Sequence, residues 1–282
     1  MKTDTRSYNY RASIKSGKSD ELINTYLLRP IAGLIVGMLY RTPVTPNQVT
    51  IVSILAGLLA AAFYVPGDSS SLVIAGLLVT TKDILDSADG QLARAKNLYS
   101  RRGRFLDSIG DFVVNLAVFA AIGWTLYETT GDSWMWLWAF LALAGITLRV
   151  SYHVFYHTSH LHLKGAYQIN RVSEDITDND RRGDRVTLVL QKIFQTIYGW
   201  QDRLMLAIDS WCRRGRLDEE FRQRWYGNTL ALRLSGFLGI GTELFLLMLC
   251  SVVGDLELYT ILNITLMNSL LLLTITYRRW VL

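Results

Sequence analysis

Apolar residues along this chain gather into blocks about as long as a membrane-crossing helix, separated by polar turns. Six blocks stand out, at 47–65, 70–96, 103–128, 134–157, 229–253 and 257–277. The second and third carry aspartates and are less oily than the rest. The pattern predicts an all-α integral membrane protein with six transmembrane helices. Upstream, "LINTYLLRPIAGLIVGMLYR" is interrupted by Pro30, and the run after the proline is too short to span. It reads as an amphipathic juxtamembrane helix lying in the membrane surface. The expected layout is a flexible cytosolic tail over 1–19, the surface helix and its linker over 20–46, and a six-helix membrane domain over 47–282. That domain is interrupted by a long cytosolic loop at 158–228. Inside the loop, Val186, Leu190, Ile193, Phe194, Ile197, Leu204, Ile208 and Trp211 recur at helical spacing, while Gln191, Lys192, Gln195, Asp202 and Arg203 face elsewhere. An amphipathic helix on the membrane, or over the mouth of an active site, is expected there.

Charge sets the orientation. The chain holds 29 Lys and Arg against 24 Asp and Glu. Seven basic residues precede the first block, five lie at or between the facing ends of the second and third, twelve lie in the long loop and two follow the last block. The connections "VPGDSS", "YETTGDS" and "VGDLE" contain none. By the positive-inside rule both termini and the aspartate-bearing turn face the cytosol. No removable signal peptide is evident, and no nucleic-acid partner is expected. Cys212 and Cys250 are in no metal or redox spacing and are expected to be reduced thiols.

The aspartates lie in "DSADGQLARAKNLYSRRGRFLDSIGD", residues 86–111. Asp86 and Asp89 share one helix face, as do Asp107 and Asp111. The segment "NLYSRR" breaks the apolar pattern and lets the second and third spans form an antiparallel hairpin. Asp89 and Asp111 then sit about 10–12 Å inside, at 1.5 Å per residue. An ionised carboxylate at mid-membrane costs about 2.5–3.5 kcal/mol, and clustering adds repulsion. Lys82 and Arg94 cannot neutralise all four, whereas hard, oxygen-ligated ions such as Mg²⁺ or Mn²⁺ can. Four carboxylates are enough for two ions, and a pair of ions can clamp the attacking and leaving oxygens of a phosphoryl transfer. Gly90 and Ala93 continue the stripe of Asp86 with almost no side chain, leaving room for a base or ribose. Arg94 supplies a planar fork for phosphate oxygens, and Gly103 repeats the small residue on the facing helix. Any one of these residues is equally explained as a helix contact. The whole pattern, D-x2-D-G-x2-A-R-x8-G-x3-D-x3-D, arises by chance on the order of once in 10¹⁰ starting positions.

That pattern resembles the signature of the CDP-alcohol phosphotransferase family at every fixed position: Asp86, Asp89, Gly90, Ala93, Arg94, Gly103, Asp107 and Asp111. The resemblance implies six membrane helices, a surface-lying N-terminal helix and a site open to the cytosol. It also implies that the four aspartates bind two divalent ions, that Asp111 takes the proton from the attacking alcohol, and that the cytidine nucleotide lies against Asp86, Gly90, Ala93 and Arg94, with Gly103 opposite. A CDP-lipid donor, a polar alcohol acceptor, release of CMP and a homodimer follow from the same likeness. The stretch "TPVTPNQVT" reads as a helix start, with Thr45 as cap, Pro46 first in the helix and Gln48 completing a capping box. It also resembles a Pro-Asn-x-x-Thr stretch of the family, which adds Asn47 and Thr50 near the nucleotide.

Other residues carry two readings each. Arg149 is either a contact for an anionic acceptor or a structural counter-charge. His153, His157, His160 and His162 have a spacing that could hold a transition metal, but at a span end read as interfacial residues. Arg101, Arg102 and Arg104 read as membrane-surface charges, with phosphate attraction as their second reading, and Glu243 reads as an interhelical hydrogen-bonding group. For the whole chain, a CDP-choline or CDP-ethanolamine transferase acting on diacylglycerol is the alternative within enzymes. A divalent-cation transporter is the alternative of another class, since intramembrane aspartates also line ion pathways.

Overall fold

Thr45 opens the first spanning helix. Its hydroxyl accepts the Gln48 N–H at 3.4 Å, the Gln48 side chain accepts the Thr45 N–H at 2.8 Å, and Pro46 fills the first helical position, where no N–H is needed. In this computed structural model, which describes residues 8–13, 21–165, 175–216 and 218–281, the chain is all-α, with no strand among the described residues. After a short helix α1 (Tyr10–Ser13) come α2 (Asn24–Leu39), α3 (Pro46–Tyr64), α4 (Ser69–Lys96), α5 (Arg101–Thr130) and α6 (Trp134–Leu163). The long loop contributes α7 (Asp178–Arg182), α8 (Arg185–Arg213) and α9 (Glu219–Gly227). The bundle closes with α10 (Thr229–Gly236), α11 (Ile240–Val253) and α12 (Leu256–Trp280).

Among the described residues five helical stretches are long and apolar enough to cross a membrane: α3, α5, α6, the run Glu219–Val253 and α12. The protein is therefore an integral membrane protein. The sixth expected crossing, α4, falls outside that set because Lys82, Asp83, Asp86 and Asp89 interrupt its apolar run. It nonetheless packs against α3, α2 and α11. Val79, Val114, Val118, Ile122, Leu244 and Leu247 form the buried centre of the bundle. Ile51, Val52, Leu55, Phe140, Leu272 and Leu273 face outward, as a lipid-facing surface requires.

Three segments differ from the sequence reading. Pro30 does not interrupt the N-terminal apolar stretch: a wider π-helical turn, Asn24–Leu28, precedes it and α2 continues through. Leu28, Ala32 and Val36 of α2 are buried, the last two packing with Ala88 and Leu92 of α4. Nor are all residues of 1–19 a free tail. Tyr8 stacks obliquely with Tyr40, and the Ser13 carbonyl accepts a hydrogen bond from Arg94 Nε. The remainder of that tail, 1–7 and 14–19, lies outside the described residues.

Helix α8 turns some of its polar residues inward. Gln191, Gln201 and Asp209 are buried, whereas Val186, Ile193, Leu204 and Trp211 are exposed. The buried polar groups find partners: Gln201 with Ser151, and Asp209 with Trp225 Nε1 at 2.9 Å, the Tyr226 hydroxyl at 2.8 Å and Arg213 Nε at 2.7 Å. Next to lipid this arrangement costs nothing on the apolar side, and satisfied polar contacts hold the helix to the bundle. Both cysteines are free and buried, and burial pushes the Cys212 thiol up to about 11, well away from thiolate chemistry at neutral pH.

Candidate active site

The aspartate hairpin is shaped by its turn. Asn97 ends α4 in the left-handed conformation, at φ 55°, and Ser100 caps α5 by accepting the Gly103 N–H at 2.9 Å. This returns α5 toward α4, with α3 packed against both. One carboxylate oxygen from each of Asp86, Asp89 and Asp107 then lies within 4.8 Å of the others. Among the described residues this is the one group of three or more His, Cys, Asp or Glu side chains so arranged. Thr50 Oγ1 donates to Asp89 Oδ2 at 2.5 Å, so α3 orients one of the three. Asp111 stands apart from the trio and is ion-paired with the buried Lys82.

A cavity of about 360 Å³ opens beside these carboxylates. Pro46, Asn47 and Thr50 of α3 form one wall, Asp89, Gly90, Ala93 and Arg94 of α4 another, and Gly103, Arg104 and Asp107 of α5 a third, with Leu98–Arg101 at the turn. Its size falls within the roughly 300–1,000 Å³ of small-molecule sites. All the nucleotide candidates except Asp86 line it. The two glycines are small for different reasons. A Cβ on Gly103 would meet Asn47 Oδ1 at 2.6 Å and Ser100 Oγ at 2.9 Å, so that glycine lets α3 and α5 approach. A Cβ on Gly90 would meet nothing nearer than Arg94 Nη1 at 3.5 Å, an ordinary contact. Packing does not require Gly90; its openness serves the cavity.

The chemistry of the donor set fits divalent cations. Three convergent carboxylates at the edge of a cavity supply hard oxygen ligands, and Lys82, the buried cation paired at this site, engages the fourth. Asp86, Asp89 and Asp107 would hold an ion directly, and Asp111 would join by exchanging its lysine partner.

Arg149 is not brought to this site. It is fully buried and reaches Glu243 Oε2 at 2.8 Å, the Asn263 carbonyl at 3.1 Å and Asn268 Oδ1 at 2.5 Å. Glu243 also accepts from Tyr259 at 3.1 Å and from the Asn263 amide, which bears out its reading as an interhelical hydrogen-bonding group. The Asn263 carbonyl that accepts from Arg149 lies at the start of a π-helical turn, Asn263–Met267. The geometry favours the structural reading of Arg149 over the acceptor-binding one. Of the histidines, His153, His157 and His160 are buried in the bundle and His162 is half-buried, and His160 Nδ1 lies 2.9 Å from the Tyr226 carbonyl.

The sequence sets Lys82 against the aspartates without singling out Asp111 as its partner, and it does not point to Tyr198. Lys82 had a signal, because it stands four residues before Asp86 on the same helical stripe. Tyr198 had none. Its hydroxyl donates to the Ser108 carbonyl at 2.7 Å, between Asp107 and Asp111, from a helix 90 residues away in sequence. Arg101 and Arg104 line the cavity, a position that fits phosphate attraction better than a purely membrane-surface role, and Arg101 also pairs with Asp180 of α7.

A family model described as CDP-alcohol phosphatidyltransferase matches residues 43–200. A protein of Thermococcus kodakarensis named bifunctional IPC transferase and DIPP synthase is 35% identical over 142 residues, which are 50% of this chain and 31% of that one. Its namesake in Aquifex aeolicus is 29% identical over 206 residues, 72% of this chain and 44% of that one. An archaetidylinositol phosphate synthase of Pyrococcus horikoshii is 34% identical over 124 residues, 44% of this chain and 58% of that one. The matched regions thus span between 31% and 58% of these relatives' own lengths. The family match itself takes in more than half of this chain and the whole of the aspartate hairpin, and the chain therefore belongs to the CDP-alcohol phosphatidyltransferase family.

Proposed function

We propose that this chain is a phospholipid-synthesising transferase that moves a phosphatidyl-type group from a CDP-lipid to a polar alcohol and releases CMP. The observation that carries the reading is the convergence of Asp86, Asp89 and Asp107 on a cavity walled by Gly90, Ala93 and Arg94. In this reading the cytidine lies along Gly90 and Ala93, and the guanidinium of Arg94 and those of Arg101 and Arg104 at the mouth face the diphosphate. Asp111 accepts the proton of the acceptor alcohol. The alcohol oxygen forms a bond to the phosphorus that bears the lipid, and the bond from that phosphorus to the bridging oxygen breaks. The electron pair leaves on CMP. Two divalent ions, Mg²⁺ or Mn²⁺, would neutralise the diphosphate and stabilise the entering and leaving oxygens when bound. The name of the Pyrococcus relative favours inositol phosphate among the acceptors.

The same reading makes α4 the sixth crossing. Its 28 residues are about 42 Å long, beyond the roughly 30 Å of a bilayer core. It also keeps the cytosolic orientation set by the basic loops, and the homodimer, which cross-linking in native membranes tests. A cation transporter is disfavoured, because Val79, Val114, Val118 and Ile122 fill the core beyond the aspartates. The deciding experiment incubates the purified chain with CDP-diacylglycerol and a panel of alcohols, following CMP and identifying the lipid product by mass spectrometry. CMP release that depends on one alcohol supports the proposal. No product with any alcohol, or a product only with CDP-choline and diacylglycerol, overturns it.

A further inference from the structure

A second cavity, of about 190 Å³, lies where the C-terminal ends of α8 and α12 meet. Arg213, Arg214 and Arg216 come to it from the end of α8, Arg279 and Trp280 from the end of α12, and Phe221 from α9. No carboxylate is among the described residues that line it. Its volume is below the roughly 300–1,000 Å³ of sites that enclose a drug-sized molecule, so it admits a headgroup and not a whole nucleotide.

Helix C-termini attract cations, and part of this cluster is explained that way. Arg213 Nε is engaged by Asp209 at 2.7 Å and its Nη1 by the Arg216 carbonyl at 3.2 Å, while Arg279 Nη1 donates to the Trp211 carbonyl at 2.5 Å. Arg214 and Arg216 are used differently. Their guanidinium carbons rest 5.1 Å from the Trp280 ring and 5.8 Å from the Phe221 ring. A guanidinium within about 6 Å of a ring is held there by the ring's quadrupole, and a guanidinium fork can take a phosphate two oxygens at a time. Trp211 and Trp280 are 56% and 71% exposed, which suits the headgroup level of a bilayer. The helix order puts this cavity on the same membrane face as the aspartate mouth, since α3 and α5 begin on that face and α4, α6 and α12 end there.

We propose that this cavity binds the phosphate of an anionic phospholipid headgroup and so clamps one lipid against the joined ends of α8 and α12. The site is separate from the aspartate cavity and does not depend on the transferase reading. The test is native mass spectrometry of the purified full chain titrated in detergent with phosphatidylglycerol, phosphatidylcholine and inorganic phosphate. Retention of one phosphatidylglycerol, in preference to phosphatidylcholine, is expected. The double variant R214Q/R216Q, altered at two exposed side chains, should weaken that retention by at least about tenfold. Arg222→Gln, in an exposed pair with Glu219 outside the cavity, should leave it unchanged. Thermal unfolding of each variant, unchanged from the parent, establishes that the loss is not one of folding. Equal retention of the two lipids, or a double variant within about twofold of the parent, overturns the site. Displacement of phosphatidylglycerol by equimolar inorganic phosphate overturns the lipid assignment and gives the cavity to a soluble phosphate ligand.

Discussion

Replacing Arg149 with methionine keeps much of the side-chain volume at the centre of the bundle and removes its charge. Arg149 and Glu243 are exposed to 0% and 1%, so the pair has no water to fall back on. Loss of the guanidinium leaves the Glu243 carboxylate with the Tyr259 hydroxyl and the Asn263 amide, and strips the Asn263 carbonyl and the Asn268 side chain of a donor. Breaking a buried pair by removing one partner costs about 3–5 kcal/mol. At about 2–4 °C per kcal/mol, that is a fall in Tm of about 6–20 °C. The companion variant Arg149→Met with Glu243→Gln removes the stranded charge, and its stability should return to within about 1–2 kcal/mol of the parent. Thermal unfolding in lipid nanodiscs measures both, with acceptor and donor KM taken on the same preparations. An unchanged Tm together with a raised acceptor KM for Arg149→Met would refute the structural role and return this residue to the acceptor.

Asp111→Asn should reduce CMP release by at least about 10²-fold while CDP-lipid binding persists, and equal loss of both would deny Asp111 the role of base. EDTA should stop CMP release and added Mg²⁺ or Mn²⁺ restore it; turnover that survives chelation would mean the carboxylates act without ions. Gly90→Val should weaken CDP-lipid binding by about five- to 150-fold, equivalent to about 1–3 kcal/mol of overpacking, with Tm unchanged. Gly103→Ala should instead lower stability by about 1–3 kcal/mol, because the new methyl meets Asn47 and Ser100. If the two glycines behave alike in melting and binding measurements, the distinction between a packing glycine and a cavity glycine fails.

What the sequence carried, and what it did not, divides along physical lines. Thr45, Pro46 and Gln48 act locally, so their helix start was legible, and so was the turn at 97–100 that pairs the aspartate helices. The aspartates were legible because charge within an apolar block is costly and therefore informative. Orientation of α8 was not. Its apolar stripe is as compatible with a surface facing lipid as with one facing protein, and the choice rests on where Ser151, Trp225 and Tyr226 offer partners to Gln201 and Asp209. Pro30 misled because a proline alone argues for a break, whereas the preceding π turn absorbs it. Tyr198 reaches Ser108 across a separation that no local pattern encodes.

Two of the clusters of buried charge in the bundle, at Arg149 and at the aspartate hairpin, differ in a way that argues which one does chemistry. Around Arg149 and Glu243 the charges are equal and opposite and bonded to neutral neighbours. Around Asp89 and Asp107 they are not. Lys82 pairs with Asp111 and cannot also balance three more carboxylates, two of which border an open cavity with three arginines at its rim. A cluster left with surplus negative charge in a membrane is stable only if mobile cations and a ligand complete it. The cavity beside it, kept open by Gly90 and Ala93, is where an anionic ligand held through such cations would lie. Charge balance thus separates a polar contact that holds helices together from one built to receive a substrate, and on this protein it supports the first role for Arg149 and the proposed second role for the aspartate hairpin.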